Sequence, residues 1–255
     1  MSDAVVKSAD RALIVLEFVA ERSAATFSEI ADGLALPRSS AHGLLNTLAS
    51  SGWLVFDPAT KLYSLGLRAW QVGQRYEGHR DIVAAAQPRM DALAAQLGET
   101  VQLARLDGLE NVYIAISDSP NPMRLASSVG MRLPSYATGI GKALLSMLDP
   151  ADAGHRLRAI ERRAYTAHTV TGADELLAVL GAARAQRFAV DDEEFTEGCR
   201  CVAVPLTRMD AAGLYTAMSV TMPTFRTTEE WPRDVLGPLR DTAAAIQDSL
   251  GIAAP

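Results

Sequence analysis

Residues 26–52 read TFSEIADGLALPRSSAHGLLNTLASSG, and this stretch carries the strongest local signals in the N-terminal part of the chain. Thr26 and Glu29 fit a capping box, which opens a short helix that should stop near Gly33. Pro37 suits the first position of a second helix, where a missing N–H is tolerated. The second helix repeats apolar residues at helical spacing, namely Ala41, Leu44, Leu45 and Leu48. Two short helices joined by about four residues predict a helix-turn-helix unit.

The neighbouring segments extend this unit on both sides. Upstream, the sequence predicts a helix with Ser8 as its N-cap. The apolar stripe expected on that helix is Ala9, Leu13, Leu16 and Ala20. Downstream, residues 53–56 and 62–65 flank a turn-rich stretch at 57–61, which predicts a β-hairpin. A hairpin after a helix-turn-helix is typical of a wing.

The first turns of the second helix carry small polar and basic side chains. A helix that reads the major groove needs such residues there, because its N-terminal side chains must reach base edges. A lysine in the hairpin turn is positioned for a phosphate contact. The candidate contacts to double-stranded operator DNA are Arg38, Ser39, Ser40, His42, Asn46 and Lys61. The alternative is a protein-binding module built from the same helices and hairpin.

Length and charge place the chain among folded proteins of about two domains. It has 255 residues, of which 49% are hydrophobic, and a net charge of −6. The first 80 residues hold eight Lys and Arg against eight Asp and Glu, so all of the net acidity lies in the remainder. Charge alone therefore supports DNA binding only weakly. Without a secretory signal or a run of roughly 18 apolar residues, a cytoplasmic protein with no membrane contact is expected.

The remainder of the chain mixes helical and strand patterns. Residues 67–97 are rich in alanine and helical in period, with Gly73, Gly78 and Pro88 expected to interrupt or bend the helix. Two strands, 100–106 and 111–116, surround a turn at Asp107 and Gly108. Further helices are expected at roughly 140–148, 150–159 and 173–186, with strands near 199–207 and 213–221. A last helix carries a stripe of Leu236, Leu239, Ala243, Ile246 and Leu250 and ends at Gly251. This order of elements predicts an α+β fold with a mostly antiparallel sheet.

Five segments, taken in order, resemble the IclR family of transcriptional regulators along nearly the whole chain. They are SADRALIVLEFV (8–19), FSEIADGLALPRSSAHGLLNTLASSGWL (27–54), YSLGLRAWQVG (63–73), ATGIGKALLS (137–146) and FAVDDEEFTEGCRCVAVP (188–205). Two positions depart from the family's pattern. Gly43 stands where an Arg commonly follows the histidine of the recognition helix, and Arg187 stands where a Gly commonly precedes the last of these segments.

The resemblance implies a domain arrangement and an assembly. A winged helix-turn-helix DNA-binding domain would occupy residues 1–67, a linker helix region 68–97, and a GAF-like effector-binding domain 98–255. The linker helix would help to pair two subunits, and a two-fold operator also requires a two-fold protein. A homodimer, and a homotetramer built as a dimer of dimers, are therefore expected.

The segment at residues 138–142 is a candidate anion site. It fails as a phosphate loop, because Tyr136 stands where the first glycine should be and Ala143 where Ser or Thr should bind magnesium. The N–H groups of Gly139 and Ile140 lie at a helix N-terminus, which favours a carboxylate. An ordinary glycine-rich helix start is the alternative.

The resemblance adds further effector-binding residues to these two backbone amides. It implies that Asp191 faces the effector pocket together with Cys201, Ser219 and Thr221. Leu125 and Leu133 would supply the pocket's apolar wall. The predicted effector-binding set is Leu125, Leu133, Gly139, Ile140, Asp191, Cys201, Ser219 and Thr221.

Catalysis, cofactors and metals find little support in the sequence. Neither a G-x-S-x-G elbow nor an H-E-x-x-H pair is present, and no base is evident for Cys201 as a nucleophile. A disulfide between Cys199 and Cys201 would be strained over so short a span, and two thiols fall short of a four-ligand metal set. Free thiols are expected, with no catalytic residue, cofactor or metal.

These observations predict a transcriptional repressor. Its operator binding would be modulated by a small organic acid, aromatic acids included, or a related catabolic metabolite. The alternative is a GAF-like small-molecule sensor that acts through protein contacts instead of DNA.

Overall fold

The computed structural model describes residues 6–75, 80–207 and 215–252. The chain forms two compact units, residues 1–77 and 78–255. Among the described residues, no helix is both long and apolar enough to cross a lipid bilayer.

The first unit is a small helical domain with a β-hairpin. Its elements are α1 (Lys7–Arg22), β1 (Ala25–Thr26), α2 (Phe27–Gly33), α3 (Arg38–Ser50), β2 (Leu54–Asp57), β3 (Leu62–Leu65) and α4 (Leu67–Gly73). The strand β1, which was not predicted, adds to the hairpin, so that an antiparallel sheet runs in the order β1-β3-β2. The predicted helix-turn-helix and wing are confirmed as α2, α3 and the β2–β3 hairpin.

Local signals set the boundaries of α2 and α3. Thr26 and Glu29 form both hydrogen bonds of the predicted capping box: the Glu29 N–H donates to Thr26 Oγ1 at 3.3 Å, and the Thr26 N–H donates to Glu29 Oε2 at 2.7 Å. Pro37 lies one residue earlier than predicted, as the N-cap of α3.

Two details of the prediction for α1 are wrong. The helix begins at Lys7, after Val6 as a residue without a side-chain cap, so Ser8 is not the N-cap. The buried face is formed by Val15, Phe18 and Val19, whereas Leu13 of the predicted stripe is 60% exposed. Both sets of residues have helical spacing, so spacing alone does not identify the buried one. In the folded domain, Val15, Phe18 and Val19 share a core with residues of α2 and α3.

The second unit is a sheet covered by helices on both faces. Its described elements are α5 (Arg80–Leu97), β4 (Thr100–Asp107), β5 (Glu110–Ser117), β6 (Arg132–Pro134), α6 (Gly139–Ser146), α7 (Pro150–Arg158), α8 (Ala173–Gln186), β7 (Ala189–Asp192), β8 (Cys199–Thr207), β9 (Thr216–Pro223), a 3-10 turn (Thr224–Arg226) and α9 (Arg233–Leu250). Among the described residues, six strands form an antiparallel sheet in the order β6-β5-β4-β9-β8-β7. The predicted α+β class is confirmed.

Strand alternation gives each face of this sheet its own core. Leu103 and Val220 face one side, where they pack with residues of α5 and α9 such as Met90 and Leu239. Ala203 and other small residues face the opposite side, where α6, α7 and α8 pack. We call this second side the α6 face of the sheet.

The region predicted as a linker helix is divided into α4 and α5. The helix α4 ends at Gly73 as predicted, while Gly78 lies outside the described residues. Pro88 lies inside α5, which continues to Leu97. The strand predicted from residue 213 begins at Thr216, and residues 213 and 214 also lie outside the described part.

Candidate DNA interface and effector cavity

One face of α3 is free of the core and carries the predicted DNA contacts. Ala41, Leu45 and Leu48 bury the opposite face. Arg38, Ser39, Ser40, His42 and Asn46 are all exposed. The structure therefore brings these predicted residues together along one helix surface.

His42 and Asn46 are one helical turn apart and interact directly. The Asn46 side-chain amide donates to His42 Nδ1 at 3.1 Å, and the histidine ring meets Phe27 edge-on at 6.4 Å between centroids. With Nδ1 as the acceptor, the ring proton lies on Nε2. The pair thus presents an N–H donor of the kind that a purine acceptor in the major groove can bind.

Lys61 lies on a different element, the turn between β2 and β3. It is exposed and adopts a left-handed conformation with φ of 62°. The Asp57 carboxylate fixes this turn by accepting from Ala59 N and Thr60 Oγ1, both at 2.8 Å, and these bonds lower the pKa of Asp57. The turn holds the lysine at the tip of the wing.

In the second unit, a row of side chains crosses the α6 face of the sheet. Asp191 of β7 pairs in register with Cys201 of β8, and Cys201 pairs with Thr221 of β9. Paired residues on neighbouring strands point to the same face. The start of α6 lies over this row, because Gly139 is in close contact with Asp191 and Cys201.

Glycines allow α6 to approach the sheet closely. A Cβ at Gly139 would lie 3.0 Å from Cys201 Sγ, and one at Gly141 would lie 2.2 Å from the Cα of Ser135. Thr138 caps the helix by accepting from the Gly141 N–H at 3.1 Å. The glycines at this helix start are thus required by packing, which the sequence could not distinguish from a binding role.

Six of the eight predicted effector residues line one cavity beside this row. They are Leu125, Leu133, Ile140, Asp191, Cys201 and Thr221. Gly139 and Ser219 are adjacent but do not line it. The cavity measures about 20 Å³, which is room for about one water molecule.

Several residues of the cavity were not in the predicted effector-binding set. Tyr113, Thr138, Phe195, Thr196 and Cys199 also line it. Two buried amides, Gln102 and Asn111, lie beside lining residues and accept hydrogen bonds from their hydroxyl groups. The sequence held one signal for these amides. Each is a polar residue at a core-facing position of a strand that is otherwise mostly apolar.

Asp191 has an unusual environment for a carboxylate. Burial raises its pKa to about 6, against the opposing effects of the Glu194 N–H, which donates to Oδ1 at 2.7 Å, and of the nearby Lys142. Lys142 is 1% exposed and forms a buried ion pair with Glu194. Asp191 therefore changes its protonation state close to neutral pH.

The cavity thiol stays protonated at neutral pH. Burial and the charge of Asp191 raise the pKa of Cys201 to about 11, although hydrogen bonding with Thr221, Ser219 and the Ile140 N–H opposes the rise. A thiol with such a pKa is a poor nucleophile. Among the described residues, no group of three or more His, Cys, Asp or Glu side chains could hold a metal ion.

Two family models match this chain. The IclR helix-turn-helix domain matches residues 8–58, and the bacterial transcriptional regulator IclR C-terminal domain matches residues 74–248. Together they cover both compact units.

Named relatives and solved structures agree with these matches. The transcriptional regulator KdgR of Escherichia coli is 31% identical over 93% of this chain and 90% of its own length. The transcriptional repressor AllR of Salmonella typhimurium is 32% identical over 96% of this chain and 90% of its own length. These relatives are named regulators and are not enzymes.

Two crystal structures show the same fold over nearly the whole chain. A putative transcriptional regulator from Rhodococcus sp. RHA1 is 30% identical, with a TM-score of 0.79 over 97% of this chain and 99% of its own. An IclR homologue from Microbacterium hydrocarbonoxydans, complexed with 4-hydroxybenzoate, is 24% identical, with a TM-score of 0.82 over 95% of this chain and 98% of its own.

Proposed function

This chain belongs to the IclR family of DNA-binding transcriptional regulators, and from this premise we propose that it is a repressor whose operator affinity is set by a small organic acid. The observation that carries the proposal is the row of Asp191, Cys201 and Thr221, which lies beneath the start of α6 at a cavity. That cavity belongs to the second unit, and the exposed face of α3 belongs to the first.

The DNA contacts we propose are Arg38, Ser39, Ser40, His42 and Asn46 on α3, with Lys61 on the wing. The side chains of α3 would read base edges, and Lys61 would contact a phosphate. Their common exposure on one helix face supports this assignment. We further propose that a homodimer, or a dimer of dimers, binds the operator, with domains at 1–67, 68–97 and 98–255.

The effector we propose is a carboxylate. The first N–H groups of α6, at Gly139 and Ile140, would hold its charged end. Asp191, Ser219, Thr221 and the thiol of Cys201 would bind its other polar groups, and Leu125 and Leu133 would cover its apolar part. Because the cavity holds about one water, an aromatic acid would require it to expand.

DNA binding by the full-length chain to the promoter beside its own gene tests the proposal. Fluorescence anisotropy should show a strong fall in affinity as salt rises from 50 to about 200 mM, because phosphate contacts release counterions. Organic acids screened in the same assay should include one that weakens binding. Asp191→Ala should abolish that response without changing the affinity for DNA in the absence of ligand.

Two outcomes would contradict parts of this proposal. If no duplex is preferred over random competitor at low salt, the sensor acts through protein contacts and not through DNA. If Asp191→Ala leaves the response to the acid unchanged, the effector lies elsewhere. Asp192→Ala, a change to the exposed neighbour of Asp191, is the matched control.

A further inference from the structure

Two primary amides lie on the α6 face of the sheet, next to the cavity. Gln102 of β4 pairs in register with Ser219 of β9, and Asn111 of β5 pairs with Leu133 of β6. Leu133 lines the cavity, and Ser219 shares its face of β9 with the lining residue Thr221. Both amides are therefore directed toward the side of the sheet that holds the cavity.

The carbonyl ends of both amides are bound by hydroxyl groups. Gln102 Oε1 accepts from Ser219 Oγ and from Thr221 Oγ1, each at 2.9 Å. Asn111 Oδ1 accepts from Thr138 Oγ1 at 2.8 Å. Since Thr138 and Thr221 line the cavity, each amide lies one hydrogen bond away from its wall.

The NH₂ ends of the same amides have no partner. Gln102 and Asn111 are both 0% exposed, and neither Gln102 Nε2 nor Asn111 Nδ2 has a hydrogen-bond partner among the described residues. A buried donor without an acceptor is costly, and such groups in folded proteins are normally satisfied. An oxygen acceptor placed beside Thr138 and Thr221, whose hydroxyl groups bind the carbonyl ends of the same amides, would supply the missing partner.

We propose that Gln102 and Asn111 determine which ligand the cavity accepts, by donating hydrogen bonds to an oxygen of the ligand other than its carboxylate. The inference rests on the proposed function, because it assumes a carboxylate bound at the start of α6. An NH₂ group can only donate, so the second group must be an acceptor such as a carbonyl or hydroxyl oxygen. This requirement favours an oxo- or hydroxycarboxylate over a plain alkyl acid, and the cavity, which holds about one water, must expand to admit it.

Calorimetric titration of the full-length chain with pyruvate and with propionate tests this inference. The two acids have the same carbon skeleton, but pyruvate carries a carbonyl oxygen, which only accepts, where propionate carries a CH₂ group. Pyruvate should bind about tenfold more tightly, because a site built around hydrogen-bond donors rejects the analogue that lacks the acceptor. Asn111→Leu and Gln102→Met are close in shape to the native residues and should bring the ratio of the two affinities toward one.

Thr216→Val is the matched control. Thr216 is 0% exposed and its Oγ1 has no partner among the described residues, but strand alternation places it on the opposite face of β9. This variant should keep the ratio of the unmodified chain. The inference is overturned if pyruvate does not bind, if the two acids bind equally, or if both amide variants keep the native ratio.

A measurement on the unmodified chain guards against variants that do not fold. The side-chain ¹H–¹⁵N signals of Asn111 and Gln102 should shift when pyruvate is added and should stay in place with propionate. Unchanged signals at saturating pyruvate would mean that an internal water satisfies these donors. DNA binding without ligand, measured separately, shows whether the proposed regulator function fails or only this assignment does.

Discussion

At the scale of single residues, Asp191 differs from the ionisable side chains beside it in the cavity, Cys201 and Tyr113. The pKa of Cys201 is raised to about 11, and burial also raises the pKa of Tyr113 well above its ordinary value. Both groups are therefore uncharged at physiological pH. Asp191, with a pKa of about 6, is mostly ionised at pH 7.5 and mostly protonated at pH 5.

The protonation of Asp191 predicts a pH dependence of effector binding. An ionised Asp191 repels the carboxylate of the effector, whereas a protonated one is neutral and can donate a hydrogen bond to another oxygen of the effector. Affinity for an acid such as pyruvate should therefore be constant below pH 6 and fall by up to about tenfold per pH unit above it. Titration calorimetry at pH 5.5, 6.5 and 7.5 measures this slope.

Two substitutions isolate the carboxylate responsible. Asp191→Asn, which resembles the protonated form, should bind the acid with little change across the same pH range. Asp192→Asn, at the exposed neighbour that pairs with Arg200, should retain the slope. A slope that survives Asp191→Asn would assign the pH dependence to another group.

At the scale of helices and strands, residues at the ends of the elements set where each element begins and stops. The capping box fixes where α2 begins, and Thr138 caps α6. Arg187 shows the opposite case, because it ends α8 in the left-handed conformation with φ of 58°. Glycine adopts this conformation without strain, which explains in physical terms why a glycine suits the position better.

Replacing Arg187 should stabilise the second unit. The side chain of Arg187 is exposed, so Arg187→Gly removes backbone strain without opening a cavity. The free energy of unfolding should rise by about 0.5–1 kcal/mol. Scanning calorimetry of the full-length chain measures the change as a higher midpoint.

Gln186→Gly, one residue earlier and inside α8, is the control for the flexibility that glycine adds. It should lower stability by about 0.5 kcal/mol, because glycine in a helix has more conformational freedom to lose on folding. If Arg187→Gly lowers the unfolding midpoint as Gln186→Gly does, the left-handed conformation of Arg187 does not destabilise the second unit.

At the scale of the whole molecule, an acidic chain must bind a polyanion. The net charge is −6, while the first 80 residues are balanced in charge. Binding therefore depends on a small number of cations placed on the DNA-facing surface. Gly43 lies on the exposed side of α3, and a Cβ added there would have no heavy atom within 4 Å.

Gly43→Arg should raise the affinity for operator DNA. The new guanidinium would reach a phosphate or a base, so binding should strengthen and the slope of log affinity against log salt should steepen by about 0.9. Gly43→Ala is the matched control, because it improves helix propensity by roughly 1 kcal/mol without adding charge. If both variants have the native salt slope, α3 does not face DNA at this position.

Elements that depend on short-range patterns could be predicted from the amino-acid sequence. The capping box at Thr26, the turn at Gly108 between β4 and β5, and the helix at residues 173–186 all follow from neighbours within a few positions. These signals depend on backbone conformation and on hydrogen bonds between residues a few positions apart, so they can be identified within a short segment. The family resemblance then supplied the candidate cavity residues, which no local pattern identifies.

Contacts between distant side chains could be seen only in the folded chain. The sequence could not show which stripe of α1 is buried, since two stripes have the same spacing and packing selects between them. The contact between Gln102 and Thr221 joins residues 119 positions apart, and the ion pair of Lys142 and Glu194 joins residues 52 apart. Such contacts depend on the register of distant strands and on how closely α6 approaches the sheet. The cavity and its polar wall therefore exist only once the sheet has assembled.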